Sequence, residues 1–73
     1  MTENGGDKLD SEKIARILVD LRGSKSRAEV AAALNLSVSA VAMYENGDRI
    51  PRDETKLKIA EYYGKSVEEI FYT

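Results

Sequence analysis

The chain has 73 residues, a formal charge of −2 at pH 7, and neither cysteine nor histidine. A chain this short holds one small domain with a marginal core. The missing residue types exclude a disulfide framework, a thiolate metal site and the commonest general base. No apolar run approaches membrane-spanning length and no signal peptide precedes the domain, so a cytoplasmic protein without cofactor or metal is expected. The overall acidity speaks against a nucleic-acid partner, but the charge is unevenly spread. Residues 22–52 carry Arg22, Lys25, Arg27, Arg49 and Arg52 against Glu29, Glu45 and Asp48, a surplus of two positive charges between two acidic flanks. Ordinary charge scatter produces differences of this size as well.

Residues 1–8 are polar, contain the pair Gly5-Gly6 and hold more acid than base. They read as a disordered arm, with too little positive charge to enter a minor groove. Asp10 is a good N-cap, and Leu9 with Ile14 stands at the spacing of a hydrophobic staple, so a first helix opens there. Ile14, Ile17, Leu18 and Leu21 recur at i, i+3, i+4 and i+7, the clearest helical stripe in the chain. Arg22 suits the negative end of that helix and Gly23 terminates it. Ser26 followed three residues later by Glu29 is a capping box for a second helix, whose apolar face is Val30, Ala31 and Leu34. Asn35 tolerates the left-handed conformation that closes a helix. Only Leu36 separates it from Ser37, which caps a third helix ending at Gly47. Leu36 and Val41 form a second staple.

Pro51 presets a turn and disfavours helix at Ile50. A fourth helix begins near Asp53 or Glu54, with Leu57, Ala60 and Tyr63 directed inward, Ile59 flanking, and Gly64 at its end. Ser66 with Glu69 is another capping box, opening a short fifth helix through Val67, Ile70 and Phe71. The expected fold is all-α: one domain over residues 9–73, five short helices, no strands and no repeat.

Two short helices joined by so tight a connection have the layout of a helix-turn-helix, here formed by the second and third helices. The run Ser26-Arg27-x-Glu29-Val30-Ala31-x-x-Leu34-x-Leu36-Ser37-x-Ser39-x-Val41-x-x-Tyr44-Glu45-Asn46-Gly47, continuing to Arg49 and Pro51, resembles the Cro/C1-type (XRE-like) DNA-binding family. Its most specific piece is Glu45-Asn46-Gly47 at a fixed distance from Ser37, and the resemblance extends from about Ile14 to Phe71. It implies a compact lambda-repressor-like domain and a bacterial or phage transcriptional repressor. The chain departs from many relatives at Asp53 and Lys56, where they carry leucine, and at Asp48, where they often carry lysine.

On a helical wheel Val41 and Tyr44, with Ala40, fall on the inward side of the third helix. Val38, Ser39, Ala42 and Met43 fall on the opposite side, which in a helix-turn-helix enters the major groove. The resemblance places base contacts on the same four residues, where relatives often carry Gln, Arg or Asn. Here only Ser39 hydrogen-bonds, while methyl groups from the other three suit thymine C5-methyl groups and an A·T-leaning site. The other reading of this face is that it covers the small core or meets another protein. Phosphate contacts are expected from Ser26, Arg27, Ser37, Asn46, Arg49 and Arg52. For each arginine the plain alternative is a solvated surface charge. Glu45 has no partner carboxylate or histidine that would make it catalytic, so a structural role near a helix end is expected. Tyr62, Tyr63, Ile70, Phe71 and Tyr72 exceed what so small a domain can bury, which makes them candidates for a two-fold interface or for a local cap on the core.

The reading is therefore a sequence-specific regulator that binds duplex operator DNA as a homodimer, with no enzyme constellation and no evident small-molecule ligand. The alternative is a protein-interaction module on the same fold with little or no base readout.

Overall fold

The computed structural model describes residues 10–72. They form five helices: α1 (Ser11–Arg22), α2 (Arg27–Leu34), α3 (Val38–Asn46), α4 (Asp53–Tyr63) and α5 (Val67–Phe71). The proposed arm and the Leu9 half of the first staple lie outside the described residues.

Local chemistry sets the helix boundaries. Four of the five N-termini carry a side-chain cap: Asp10, Ser26, Ser37 and Ser66 accept from the backbone N–H three residues on. Each such cap satisfies one of the donors that a helix start leaves free. At Ser66 the box is complete, since the Glu69 carboxylate also accepts from the Ser66 N–H at 2.7 Å. At Ser26 the hydroxyl half is formed, at 3.0 Å from the Glu29 N–H. Arg52 precedes α4 without a side-chain cap, and Asp53 and Glu54 stand in the first turn instead. Three C-termini close in the same way. Asn35, Gly47 and Gly64 adopt the left-handed conformation, and in each case the next residue's N–H bonds back to a carbonyl five residues earlier. That is the Schellman closure, and it stops the helix within one residue.

The core is built from Ile14 and Leu18 of α1, Val30 and Leu34 of α2, Ile59 and Ala60 of α4, and Ile70 and Phe71 of α5. Ile17 and Leu21 complete the α1 stripe at its margin. Ile70 is 1% exposed and Phe71 2%, and full burial of such a side chain contributes about 1.5–3 kcal/mol. These two residues are the largest correction to the expected interface. They are core residues of the monomer, so the five-residue α5 spends its apolar side inward and leaves Tyr72 outside.

The inward face of α4 also differs from expectation. Leu57 is 63% exposed, while Lys56 is buried along with Ile59 and Ala60. Positions 56, 59, 60 and 63 share one side of a helix, and Leu57 lies a third of a turn away. Lys56 tolerates the inward position because its ammonium donates to the Tyr72 hydroxyl at 2.9 Å and approaches Asp53 at 3.5 Å. The same ammonium lies 5.0 Å from the centre of the Tyr72 ring and 5.8 Å from that of Phe71. The bond to the Tyr72 hydroxyl holds the lysine pKa above its usual value, against the opposing effect of burial. A cation thus ties the end of α5 to α4 where the relatives' pattern has leucine.

Candidate nucleic-acid interface

α2 and α3 pack on each other, and α3 packs on α1 as well. The connection is as short as the sequence indicated: Asn35 in the left-handed conformation (φ 57, ψ 45), then Leu36, then the cap Ser37. Leu36 is partly buried against the core. The Ser37 hydroxyl accepts from the Ala40 N–H at 3.0 Å, so the first turn of α3 is pinned.

Along α3, Val41 is buried and Tyr44 is half-buried against the core. Val38, at 48%, and Ser39 are exposed, and Ala42 and Met43 are half-buried one turn further on. Of the four residues expected to read bases, Ser39 and Met43 lie on the side of α3 opposite Val41 and Ala42 flanks it, whereas Val38, about 60° from Val41, is exposed as the first residue of the helix. Ser39 brings the one polar side chain among them.

The residues expected at phosphates are placed unequally. Ser26, Ser37, Asn46, Arg49 and Arg52 are exposed. The hydroxyls of Ser26 and Ser37 already serve as helix caps, which leaves their lone-pair capacity and the neighbouring first-turn N–H groups for a further partner. Asn46 ends α3, and Arg49 and Arg52 follow in the loop to α4. Arg27 opens α2 but is not a free surface cation. Its Nε donates to Glu45 Oε1 at 2.9 Å.

Glu45 is the residue whose part is least apparent from the sequence. Its side chain is 2% exposed, and each carboxylate oxygen accepts from one guanidinium: Oε1 from Arg27, Oε2 from Arg22 at 2.8 Å. An isolated buried carboxylate is costly, and paired hydrogen-bonded cations are what make it tolerable. Arg22 also donates through Nη1 to the Lys25 carbonyl at 2.7 Å, closing the loop between α1 and α2. The Glu45 hydrogen bond raises the Arg22 pKa further. One carboxylate thus joins the end of α1, the start of α2 and the end of α3. The wheel holds a signal for it. Glu45 lies four residues after Val41, on the inward face, and a carboxylate there requires a cation from a neighbouring helix. Reading Arg22 only as a complement to the α1 dipole misses that requirement.

Tyr62 and Tyr63 meet edge-to-face, with ring centres 4.9 Å apart, and both lie half-buried beside the core. Lys25 caps Tyr62 at 5.2 Å from the ring centre. Of the five residues expected at an interface, Tyr72 alone is substantially exposed, at 53%. Among the described residues no group of three His, Cys, Asp or Glu side chains is placed to hold a metal ion. No described helix is long and apolar enough to cross a membrane.

The helix-turn-helix family model HTH_3 matches residues 21–70, from the last turn of α1 to α5. The chain belongs to this Cro/C1-type (XRE) family. Membership makes it a DNA-binding helix-turn-helix regulator, a regulatory class that is typically non-enzymatic. No curated protein and no solved structure matches the chain.

Proposed function

We propose that this helix-turn-helix regulator is a repressor, acting in the cytoplasm at the chromosome, that occupies a near-palindromic operator as a homodimer. The single observation that carries the reading is the exposure of the first two residues of α3. Val38 and Ser39 stand clear of the core on a helix pinned by Ser37 and held from below by Glu45. α3 lies in the major groove with Val38, Ser39, Ala42 and Met43 toward base edges, where methyl groups favour thymine. Ser26, Arg27, Ser37, Asn46, Arg49 and Arg52 hold the backbone. One helix reads only a few base pairs, too few among roughly 10⁶ or more competing genomic positions, so a second copy supplies the remaining discrimination. Two copies place their α3 helices in successive major grooves about 34 Å apart. The exposed pair Leu57 and Tyr72, at the edge of α4 and the end of α5, is the apolar surface for that pairing.

The test is selection of bound duplexes from a random pool, followed by titration against salt. A near-palindromic, A·T-leaning consensus and a steep fall of affinity with salt are expected. A second reading, a protein-interaction module on the same fold, draws on the apolar Val38 side and the acidic net charge. It requires that binding to random duplex be absent or insensitive to salt.

A further inference from the structure

The two arginines on Glu45 are not equivalent. Arg22 is 19% exposed and committed inward, through Nε to Glu45 and through Nη1 to the Lys25 carbonyl. Arg27 is 38% exposed, stands at the first residue of α2 beside the cap Ser26, and uses only Nε on Glu45. Among the described residues its Nη groups carry no hydrogen bond, and a guanidinium has a fixed planar fork of donors. Anchoring the inner edge of that fork fixes the plane and direction of the outer edge. The anchor is itself rigid, because Glu45 is buried and its second oxygen is held by Arg22.

Resting on the reading of α2 and α3 as a DNA surface, we infer that Glu45 is a positioning residue for phosphate binding: it holds the Arg27 guanidinium so that the Nη groups meet a backbone phosphate beside Ser26. An unanchored surface arginine loses rotamer freedom when it clamps a phosphate, and Arg27 has lost it before DNA arrives. Two guanidinium groups on one carboxylate leave a net positive charge, so the cluster still attracts the phosphate chain. Arg22 supplies the second cation that makes this possible. With Arg27 alone, the pair would be neutral and the carboxylate loose. The pairing also explains why a buried acid is compatible with a DNA-facing surface in a chain of acidic net charge.

The experiment is a double-mutant cycle on the intact chain, with Glu45→Gln, Arg27→Ala and the double variant titrated against a random-sequence duplex at several salt concentrations. Thermal melting checks that each variant is folded. Arg27→Ala should weaken binding about 3- to 10-fold and make the salt slope shallower by about 0.9, the loss of one phosphate contact. Glu45→Gln should reproduce most of that loss although it removes a negative charge, and should add nothing in the Arg27→Ala background. Losses that add in the double variant overturn the inference and leave Glu45 a fold residue. Tighter binding by Glu45→Gln overturns it too, because the carboxylate would then only oppose DNA. Should Glu45→Gln fail to fold, Arg27→Lys decides. It keeps the charge but lacks the fork, so affinity near that of Arg27→Ala supports the inference and wild-type affinity overturns it. Absence of salt-dependent binding by the wild-type chain sinks the DNA reading itself, whereas additive losses sink only the part given to Glu45.

Discussion

Gly47 closes α3 in the left-handed conformation (φ 80, ψ 11) and lies against the start of α1. A Cβ there would stand 3.3 Å from the Ser11 carbonyl oxygen and 3.8 Å from the Ala15 Cβ. Gly64 closes α4 with nearly the same backbone (φ 68, ψ 34), yet a Cβ added there meets nothing within 4 Å. The two glycines therefore separate conformational strain from crowding. The left-handed conformation costs an alanine about 1–2 kcal/mol, partly offset by the roughly 0.4–1 kcal/mol gained by restricting the unfolded chain. Gly64→Ala is thus predicted to destabilise by about 1 kcal/mol. Gly47→Ala carries the same cost plus overpacking against the backbone of the first turn of α1, about 1 kcal/mol or more. For a domain of this size each kcal/mol moves the midpoint by about 4–8 °C. Thermal unfolding followed by circular dichroism should show Gly47→Ala lowering Tm about twice as far as Gly64→Ala. Gly47→Ala should also weaken DNA binding well below its midpoint, since relief of the contact shifts α3 on α1. Equal Tm losses at the two glycines would refute the claim that α3 is seated by close backbone approach at Gly47.

Further tests address the reading face, alkaline stability and assembly. Val38→Gln or Met43→Gln puts a donor–acceptor pair where methyl groups now stand, so site selection should return an altered consensus at one or two positions per half-site; an unchanged consensus from both variants would remove that face from base readout. Burial, with smaller contributions from Glu45 and Tyr62, pushes the Tyr63 phenol up from 10.0 to about 12. The unfolded chain then ionises first, so this contribution is intact below pH 10 and is lost as pH rises through the folded value. Tyr63→Phe should accordingly flatten the decline of Tm between pH 10 and 12 relative to wild type, and a parallel decline in both proteins would contradict it. Leu57→Glu places a charge on the exposed apolar edge without touching the core. Sedimentation with a two-half-site duplex should then show the wild-type chain binding as two copies and the variant favouring one, with half-site preference unchanged; a strict one-to-one wild-type complex would exclude the dimer.

What was legible in the sequence was whatever depends on near neighbours in the chain. Caps at Asp10, Ser26, Ser37 and Ser66, and stops at Asn35, Gly47 and Gly64, need only the residues within one helical turn. With the α1 stripe they determine five helices and a tight α2–α3 connection. The inward side of α3 followed for the same reason, since Val41 and Tyr44 are recognised from α3 itself. The errors lie where a side chain's environment is supplied by another helix. Leu57 looked inward on hydrophobicity, but the phase of α4 is set by Ile59 and Ala60, which join the core, and that phase turns Lys56 in. Ile70 and Phe71 looked surplus because the aromatic and apolar residues of α4 and α5 exceed what so small a domain is expected to bury, yet both fit into the core.

Both polar exceptions in the buried interior follow from one rule, and it bears on function. A charge inside so small a domain survives only if each hydrogen-bonding direction is answered. Lys56 is answered by Tyr72, Asp53 and two aromatic faces, Glu45 by two guanidinium groups. The Lys56 set lies between α4 and α5, far along the chain from α2 and α3, and ties down the end of the fold beside the exposed Leu57 and Tyr72. The Glu45 set lies under α2 and α3 and includes a cation, Arg27, that is still partly in water. A leucine at position 45 would have filled the same inward space without any need for arginine. The acid at that position is therefore best understood through what it holds. It fixes α3 to α1 through Arg22 and ties the first residue of α2 to the same carboxylate through Arg27.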